Sequence, residues 1–302
     1  MIVVGIDENG LGPVLGPMTV TATAFRTPLY SEDVFWQLSD IDLPADDSKV
    51  VFKSRKKAVA ETAVLQWMQL LHTHPLTAET LYRGIDPTTQ SPCPFDLPFV
   101  CRLPDSPSIP CFGGQDDALT SQIRKRFSTA AIEPLYCTAV ISCPGHFNET
   151  VSPLGRNKLQ FDFDMMLQLV DRIRVRFPDE FILALCGKVG GTRCYLPWFE
   201  SSGKVNVVTR HEERDESRYQ LGEDTEIRFI KDGDSRHLPV AVASMIGKYL
   251  RELQMAELNQ LLAPDAPPVS GYRDPRTKQF IHDTGMRRQQ LALPVRCFLR
   301  NC

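Results

Sequence analysis

Residues 2–6 form a continuous apolar, β-prone run that stops abruptly at Asp7 and Glu8. A run without polar alternation predicts a strand buried on both faces, so two adjacent carboxylates stand at its C-terminal end. Residues 18–25 alternate instead, with Met18, Val20, Ala22 and Ala24 on one side and threonines on the other, which predicts a half-buried strand. A helix is expected over about 54–71, where Val59, Ala63, Leu65, Trp67 and Leu70 share one broad face behind a basic start. Residues 136–142 read as a strand, and 161–175 as an amphipathic helix leading into a strand over 181–186, which the glycines of 187–191 end. Residues 205–209 and 226–230 are further short strands. Pro239 then fits the first turn of a helix, where its missing N–H costs nothing, and the helix runs on over 240–262. Strands come first and then alternate with helices, the pattern of a mixed sheet with helices packed on it.

Between about 84 and 114 this patterning lapses. Seven prolines and three of the nine cysteines fall there without helical periodicity, so the segment reads as an inserted loop or small subdomain. The composition, 42% hydrophobic and 24% charged over 302 residues, is that of a folded soluble protein and excludes disordered, collagen-like and coiled-coil classes. The N-terminus has no basic stretch ahead of its short apolar run, so neither a signal peptide nor a membrane span is expected there. An odd number of cysteines without any CxxC argues for thiols in a reducing compartment, and a cytoplasmic location is expected. With 34 basic against 37 acidic residues the net charge is -3, so any nucleic-acid site must be a local patch.

Two glycine-rich segments are set aside. Gly10, Gly12 and Gly16 follow a strand but have the wrong spacing for a dinucleotide fingerprint, and the next element is a strand, not a helix. The run from Gly187 to Thr192 lacks the Gly-Lys-Ser/Thr ending of a phosphate loop. The Asp7-Glu8 pair is more informative, because adjacent carboxylates at the end of a buried strand repel each other unless something compensates. A hard divalent cation would do so, and so would backbone N–H groups from the turn after Asn9. Asp234, after the 226–230 strand, reads either as a metal ligand or as the second acid of an Asp-Gly turn before a helix.

Read together, these segments resemble ribonuclease HII. The stretch from Gly5 to Pro17 is similar to that family's opening block, an Asp-Glu pair followed by Gly-x-Gly-Pro and Gly-Pro. Asp46-Asp47-Ser48-Lys49 resembles its Asp-Ser-Lys block, and the stretch from Asp232 to Glu252 its later carboxylate block, with Asp234 on the catalytic aspartate and Ser244 and Lys248 on the helix behind. Gly271-Tyr272 falls where the family carries a Gly-Tyr on its C-terminal extension. The resemblance implies an α/β, ribonuclease H-like mixed five-stranded sheet flanked by helices over 1–262, with a C-terminal helical extension over 263–302. It implies cleavage of RNA in RNA–DNA hybrids, or at ribonucleotides embedded in DNA, by a monomer without a membrane partner. Asp7, Glu8 and Asp234 would hold two magnesium or manganese ions, to which hard carboxylate oxygens are matched. Gly10, Leu11, Gly12, Lys49, Ser244, Lys248 and Tyr272 would contact the substrate.

Two positions depart from the family's pattern. Its third acid, at the end of the strand over 181–186, is replaced here by Gly187, and Cys186 is a poor magnesium ligand. Glu213, Glu216 and Asp232 are the nearby acids from which a substitute is expected. Its Gly-Arg-Gly is Gly10-Leu11-Gly12, without the guanidinium. A rival reading is therefore a non-catalytic nucleic-acid-binding protein on the same fold.

Overall fold

The structure, a computed structural model, describes all residues except 41, 47, 53–56, 74–76, 87–106, 116–118, 120, 152–156 and 302. Its centre is a seven-stranded sheet built from β1 (Ile2–Asn9), β2 (Met18–Arg26), β3 (Glu133–Ser142), β4 (Ile182–Gly187), β5 (Val207–Glu212), β6 (Glu216–Leu221) and β7 (Thr225–Ile230), in the order β3-β2-β1-β4-β7-β6-β5. β1, β4 and β7 run parallel, while β2 and β3 on one side and β6 and β5 on the other are antiparallel. The mixed α/β architecture is as expected, but the sheet has seven strands where the resemblance implied five. The addition is the β5–β6 hairpin. β6 escapes a reading by hydrophobic runs because its inward residues are Ser217, Tyr219 and Leu221, separated by Glu216, Arg218 and Gln220.

Four helices matter for the site: α1 (Lys57–Leu70), α2 (Ala78–Ile85), α3 (Lys158–Arg176) and α4 (Leu238–Leu262). α4 and α1 bury Val3, Leu183 and Leu185 on one face of the sheet. α3 buries Ile2, Val4, Ile6, Ala184 and Cys186 on the other. This two-sided burial explains the unbroken apolar character of β1 and β4.

β2 is a correction to the expected half-buried strand, since both of its faces are covered. Its threonines lie under α4 and satisfy that helix's carbonyls, Thr23 Oγ1 donating to Pro239 O (2.8 Å) and Thr19 Oγ1 to Gly247 O (3.2 Å). Close approach of α4 to the sheet depends on Gly5, where a Cβ would stand only 2.0 Å from the Pro239 carbonyl carbon. A glycine in mid-strand usually weakens it, but here its missing side chain is what seats the helix.

α2, capped by a reciprocal Thr77–Thr80 pair, runs into the first two residues of the expected insert. Residues 87–106 lie outside the described residues. The far end is anchored on α1, where the buried Glu61 carboxylate accepts the N–H groups of Cys111, Phe112 and Gly114 and the Tyr249 hydroxyl.

Candidate functional site

The three parallel strands end together, and their C-terminal ends define the site. β1 continues through Asp7 and Glu8, which pair with Thr21 and Val20 of β2. β7 leads into residues 231–232 and the helical turn Gly233–Arg236, which holds Asp234. Asp232 enters that turn with φ +52°, a left-handed conformation that aspartate tolerates better than most residues. Asp7, Glu8 and Asp234 are all half-buried.

The charges of Glu8 and Asp234 are both felt at Asp7. The Asp7 carboxyl is held well above the usual carboxylate range, first by burial, then by repulsion from Glu8 and from Asp234. A hydrogen bond from the Ser244 side chain opposes this. Ser244 is 2% exposed and also meets the Ser48 hydroxyl at 3.1 Å. Ser244, expected at the substrate, is thus buried beside Asp7. Among the described residues, no group of three or more His, Cys, Asp or Glu side chains is closed around a common point as a ready metal cage.

β4 ends beside β1, and Gly187 lies in the register next to Asp7. A Cβ on Gly187 would stand 2.5 Å from Asp7 Oδ1. Asp7 thus leans across β4 into the space that any side chain at 187 would need. Gly187 is not among the glycines with positive φ, so the constraint there is space, not backbone strain. The suggested substitutes do not fill the gap. Glu216 is ion-paired with Arg218 (2.8 Å), Glu213 is exposed near His211, and Asp232 is exposed beside Lys231. Cys186 turns into the α3 core, where burial and the nearby acids Asp162 and Asp7 push its thiol up.

One carboxylate was not anticipated. Asp162, on α3, is fully buried and neither of its oxygens has a hydrogen-bond partner among the described residues. Burial raises its carboxyl, and the charge of Asp7 raises it further. The signal was legible, because Asp162, Met166, Leu169 and Ile173 all fall on the buried stripe of α3, where an acid is out of place.

The Gly10-Leu11-Gly12 turn and Tyr272 lie side by side: a Cβ on Gly12 would lie 3.8 Å from the Tyr272 ring. Tyr272 is 48% exposed and faces the Arg251 guanidinium at 5.7 Å. Arg251 is itself buried and donates to the carbonyls of Leu15 and Ser270, tying the turn to the segment that carries Tyr272. Gly10 has φ +90°, which keeps this turn open to a side-chain-free backbone. Lys49 lies in the short helix Ser48–Val51, and its side chain falls outside the described residues. Lys248 is committed to Glu252 (2.9 Å), which also binds Lys57 (2.7 Å). Of the basic start of the helix expected over 54–71, only Lys57 is described.

The family profile of ribonuclease HII matches residues 201–301, a span that includes Asp234, Lys248 and Tyr272. The last third of the chain is similar to ribonuclease HII. No curated protein matches the chain. Among solved structures, the Archaeoglobus fulgidus RNase HII, in a complex with PCNA, is 16% identical with a TM-score of 0.45, covering 100% of this chain and 94% of that one. Bst-RNase HIII in complex with Mn2+ is 12% identical with a TM-score of 0.47, covering 100% and 66%. The Pyrococcus horikoshii ribonuclease H2 is 16% identical with a TM-score of 0.40, covering 99% and 92%. Among the described residues, no helix is long and apolar enough to cross a membrane.

Proposed function

We propose that the chain is a metal-dependent endoribonuclease acting on RNA in RNA–DNA hybrids or at ribonucleotides embedded in duplex DNA. The observation that carries this reading is the position of Asp7 and Glu8 at the end of β1 and of Asp234 just after β7, beside a glycine turn whose Gly12 lies against an exposed tyrosine. The donor set suits a hard divalent cation: the donors are carboxylate oxygens, and Asp162 leaves two buried oxygens without a partner among the described residues. Asp7, Glu8 and Asp234 would hold magnesium or manganese, which when bound would polarise the scissile phosphate and generate the attacking hydroxide. Ser244 orients the Asp7 carboxyl. The backbone N–H groups at Gly10, Leu11 and Gly12 meet the ribonucleotide, whose 2′-hydroxyl distinguishes RNA from DNA, and Tyr272 stacks on a sugar or base. Residues 1–262 form the catalytic body, and 263–302 add the substrate-facing extension.

The test is incubation with a labelled hybrid and with a single-ribonucleotide duplex, in magnesium and then manganese. Metal-dependent cleavage beside the ribonucleotide, lost in Asp7→Asn, is expected. The absence of an acid at 187 favours the second reading, a nucleic-acid-binding protein without catalysis. Tight hybrid binding with no cleavage in either metal would select it.

A further inference from the structure

The two halves of the candidate substrate surface meet at one buried side chain. A Cβ on Gly10 would stand 2.9 Å from both Cδ and Nε of Arg251, on α4, and a Cβ on Gly271 would stand 3.3 Å from its Nη2. The Tyr272 ring lies 5.7 Å from the same guanidinium. Arg251 is 1% exposed, so backbone on both sides and the ring wall it in. Outside it stand Gly12 and Tyr272, both exposed. The turn itself carries no cation, its middle residue being Leu11.

The hydrogen bonds of Arg251 leave most of its donors unused. Nη2 donates to Leu15 O (3.2 Å) and Ser270 O (2.8 Å), while Nε and Nη1 are buried without a partner among the described residues. The acid next to it in sequence, Glu252, is taken by Lys57 (2.7 Å) and Lys248 (2.9 Å). A buried carboxyl escapes such a position by taking up a proton, but a guanidinium, which titrates above about 12, has no such exit at neutral pH. Burial lowers it from its ordinary value, and Glu252 and Tyr272 oppose that shift. The fold therefore keeps a fixed positive charge that only carbonyl dipoles answer, and an unpaired buried charge is costly. An anion seated at Gly12 and Tyr272 would offset that cost.

We propose that Arg251 is a positioning residue for nucleic acid, a fixed positive charge behind the Gly10-Leu11-Gly12 turn and Tyr272 that holds the two together and draws a backbone phosphate to them. This deepens the proposed function and rests on the site binding a hybrid, which both readings above share, but needs neither a bound metal nor an acid. The ring and the turn separate the guanidinium from solvent, and across such a path a charge acts more strongly than it would through water.

Equilibrium binding of the full chain to a labelled hybrid, over a series of salt concentrations with a chelator present, tests this apart from cleavage. Arg251→Met keeps the length and removes the charge. Affinity should fall about tenfold or more, the scale of one unit charge several ångströms away at intermediate dielectric, and the salt dependence should flatten by about one phosphate contact. Arg251→Gln also removes the charge but keeps a donor for the Leu15 and Ser270 carbonyls; it should behave as Arg251→Met does and guards against a folding defect peculiar to methionine. Arg251→Lys keeps the charge without the planar fork and should restore the salt slope and most of the affinity, a rescue that a merely structural fork would not give. Thermal unfolding shows which variants are folded. A folded Arg251→Met or Arg251→Gln protein with wild-type affinity and slope would overturn the proposal. So would a folded Arg251→Lys protein as weak as Arg251→Met, because the fork and not the charge would then be at work, and so would unfolding of both neutral variants, which would make Arg251 a structural residue. Wild-type protein that binds no hybrid would overturn it together with the proposed function, so the two failures are distinguishable.

Discussion

At Asp7, burial, the adjacent Glu8 and the more distant Asp234 all favour the protonated acid. The folded chain therefore holds this proton to higher pH than the unfolded chain, and metal-free stability falls as pH rises above the ordinary carboxylate range. Asp7→Asn should remove that fall. We expect its unfolding midpoint near neutral pH to rise by a few degrees without metal, measured by thermal unfolding, while cleavage drops at least about a hundredfold, the scale of losing one electrostatic group at a reacting centre. Cleavage at the wild-type rate would place the activity elsewhere. Gly187→Asp is the complementary case. Restoring an acid there would seem to strengthen the site, but the Cβ would meet Asp7 Oδ1 at 2.5 Å, so Asp7 must swing away from β4 first. Cleavage rate against magnesium concentration should show no lower metal requirement in Gly187→Asp than in wild type. A clear gain would mean that Asp7 relaxes freely and that the site lacks its third charge.

Among the elements, α4 concentrates the polar chemistry. Its Glu252 is resisted by burial yet drawn down to about 2 by Lys248 and Lys57, so its contribution to stability is complete above the ordinary glutamate range and is lost as pH falls toward 2. Glu252→Gln should release Lys248 and Lys57, making hybrid binding tighter at low salt and its salt dependence steeper by up to about two phosphate contacts. An unchanged salt slope would show that neither lysine reaches the nucleic acid. One turn further on, Glu257 is 7% exposed, has no partner among the described residues, and is pushed up to about 8 by burial. Here the sign is reversed: the folded chain keeps the proton while the unfolded chain releases it, so stability declines between about pH 4.5 and 8, at no more than about 1.4 kcal/mol per pH unit. Glu257→Gln should flatten that decline, raising the unfolding midpoint at pH 8 and leaving it unchanged at pH 4. Elements of this kind were legible where periodicity was strong, as in α3 and α4. The failures were β6, whose inward Ser217 and Tyr219 disguise its alternation, and the threonine face of β2, whose burial is set by α4 carbonyls far away in sequence. The site divides in the same way. Asp7, Glu8, Gly12, Asp234 and Tyr272 stand in recognisable local patterns, whereas Asp162 becomes meaningful only when α3 is folded beneath β1 and β4.

For the whole molecule, the C-terminal segment is less an appendage than a support for the chain just after the Gly10-Leu11-Gly12 turn. Val14 and Leu15 donate to Gly271 O at 2.8 and 3.2 Å, so the segment before Tyr272 grips the chain just after Gly12. From the other side Leu15 pairs with Leu299, the Arg300 N–H donates to Val14 O (2.9 Å), and the Arg300 guanidinium binds Pro13 O. Asn148 secures this end by donating to the carbonyls of Arg296 and Leu299. Residues 13–15 are thus clamped between two parts of the extension, and the geometry of Gly10-Leu11-Gly12 beside Tyr272 depends on both. Deleting residues 294–302 should leave the sheet and its carboxylates in place. It should cost stability on the order of burying Phe298, about 1.5–3 kcal/mol, together with the lost hydrogen bonds. The sharper consequence is for recognition: without the clamp the turn no longer holds its N–H groups against Tyr272, so affinity for a hybrid should fall toward that for plain duplex DNA. The measurement is the ratio of hybrid to duplex affinity at one fixed salt concentration, for the full and the shortened chain, at a temperature where both are folded. Phosphate contacts contribute equally to both ligands and cancel in that ratio, which isolates the reading of the ribose. A shortened chain that keeps the full preference would show that the turn is held by β1 and β2 alone, and that the clamp serves only to close the fold.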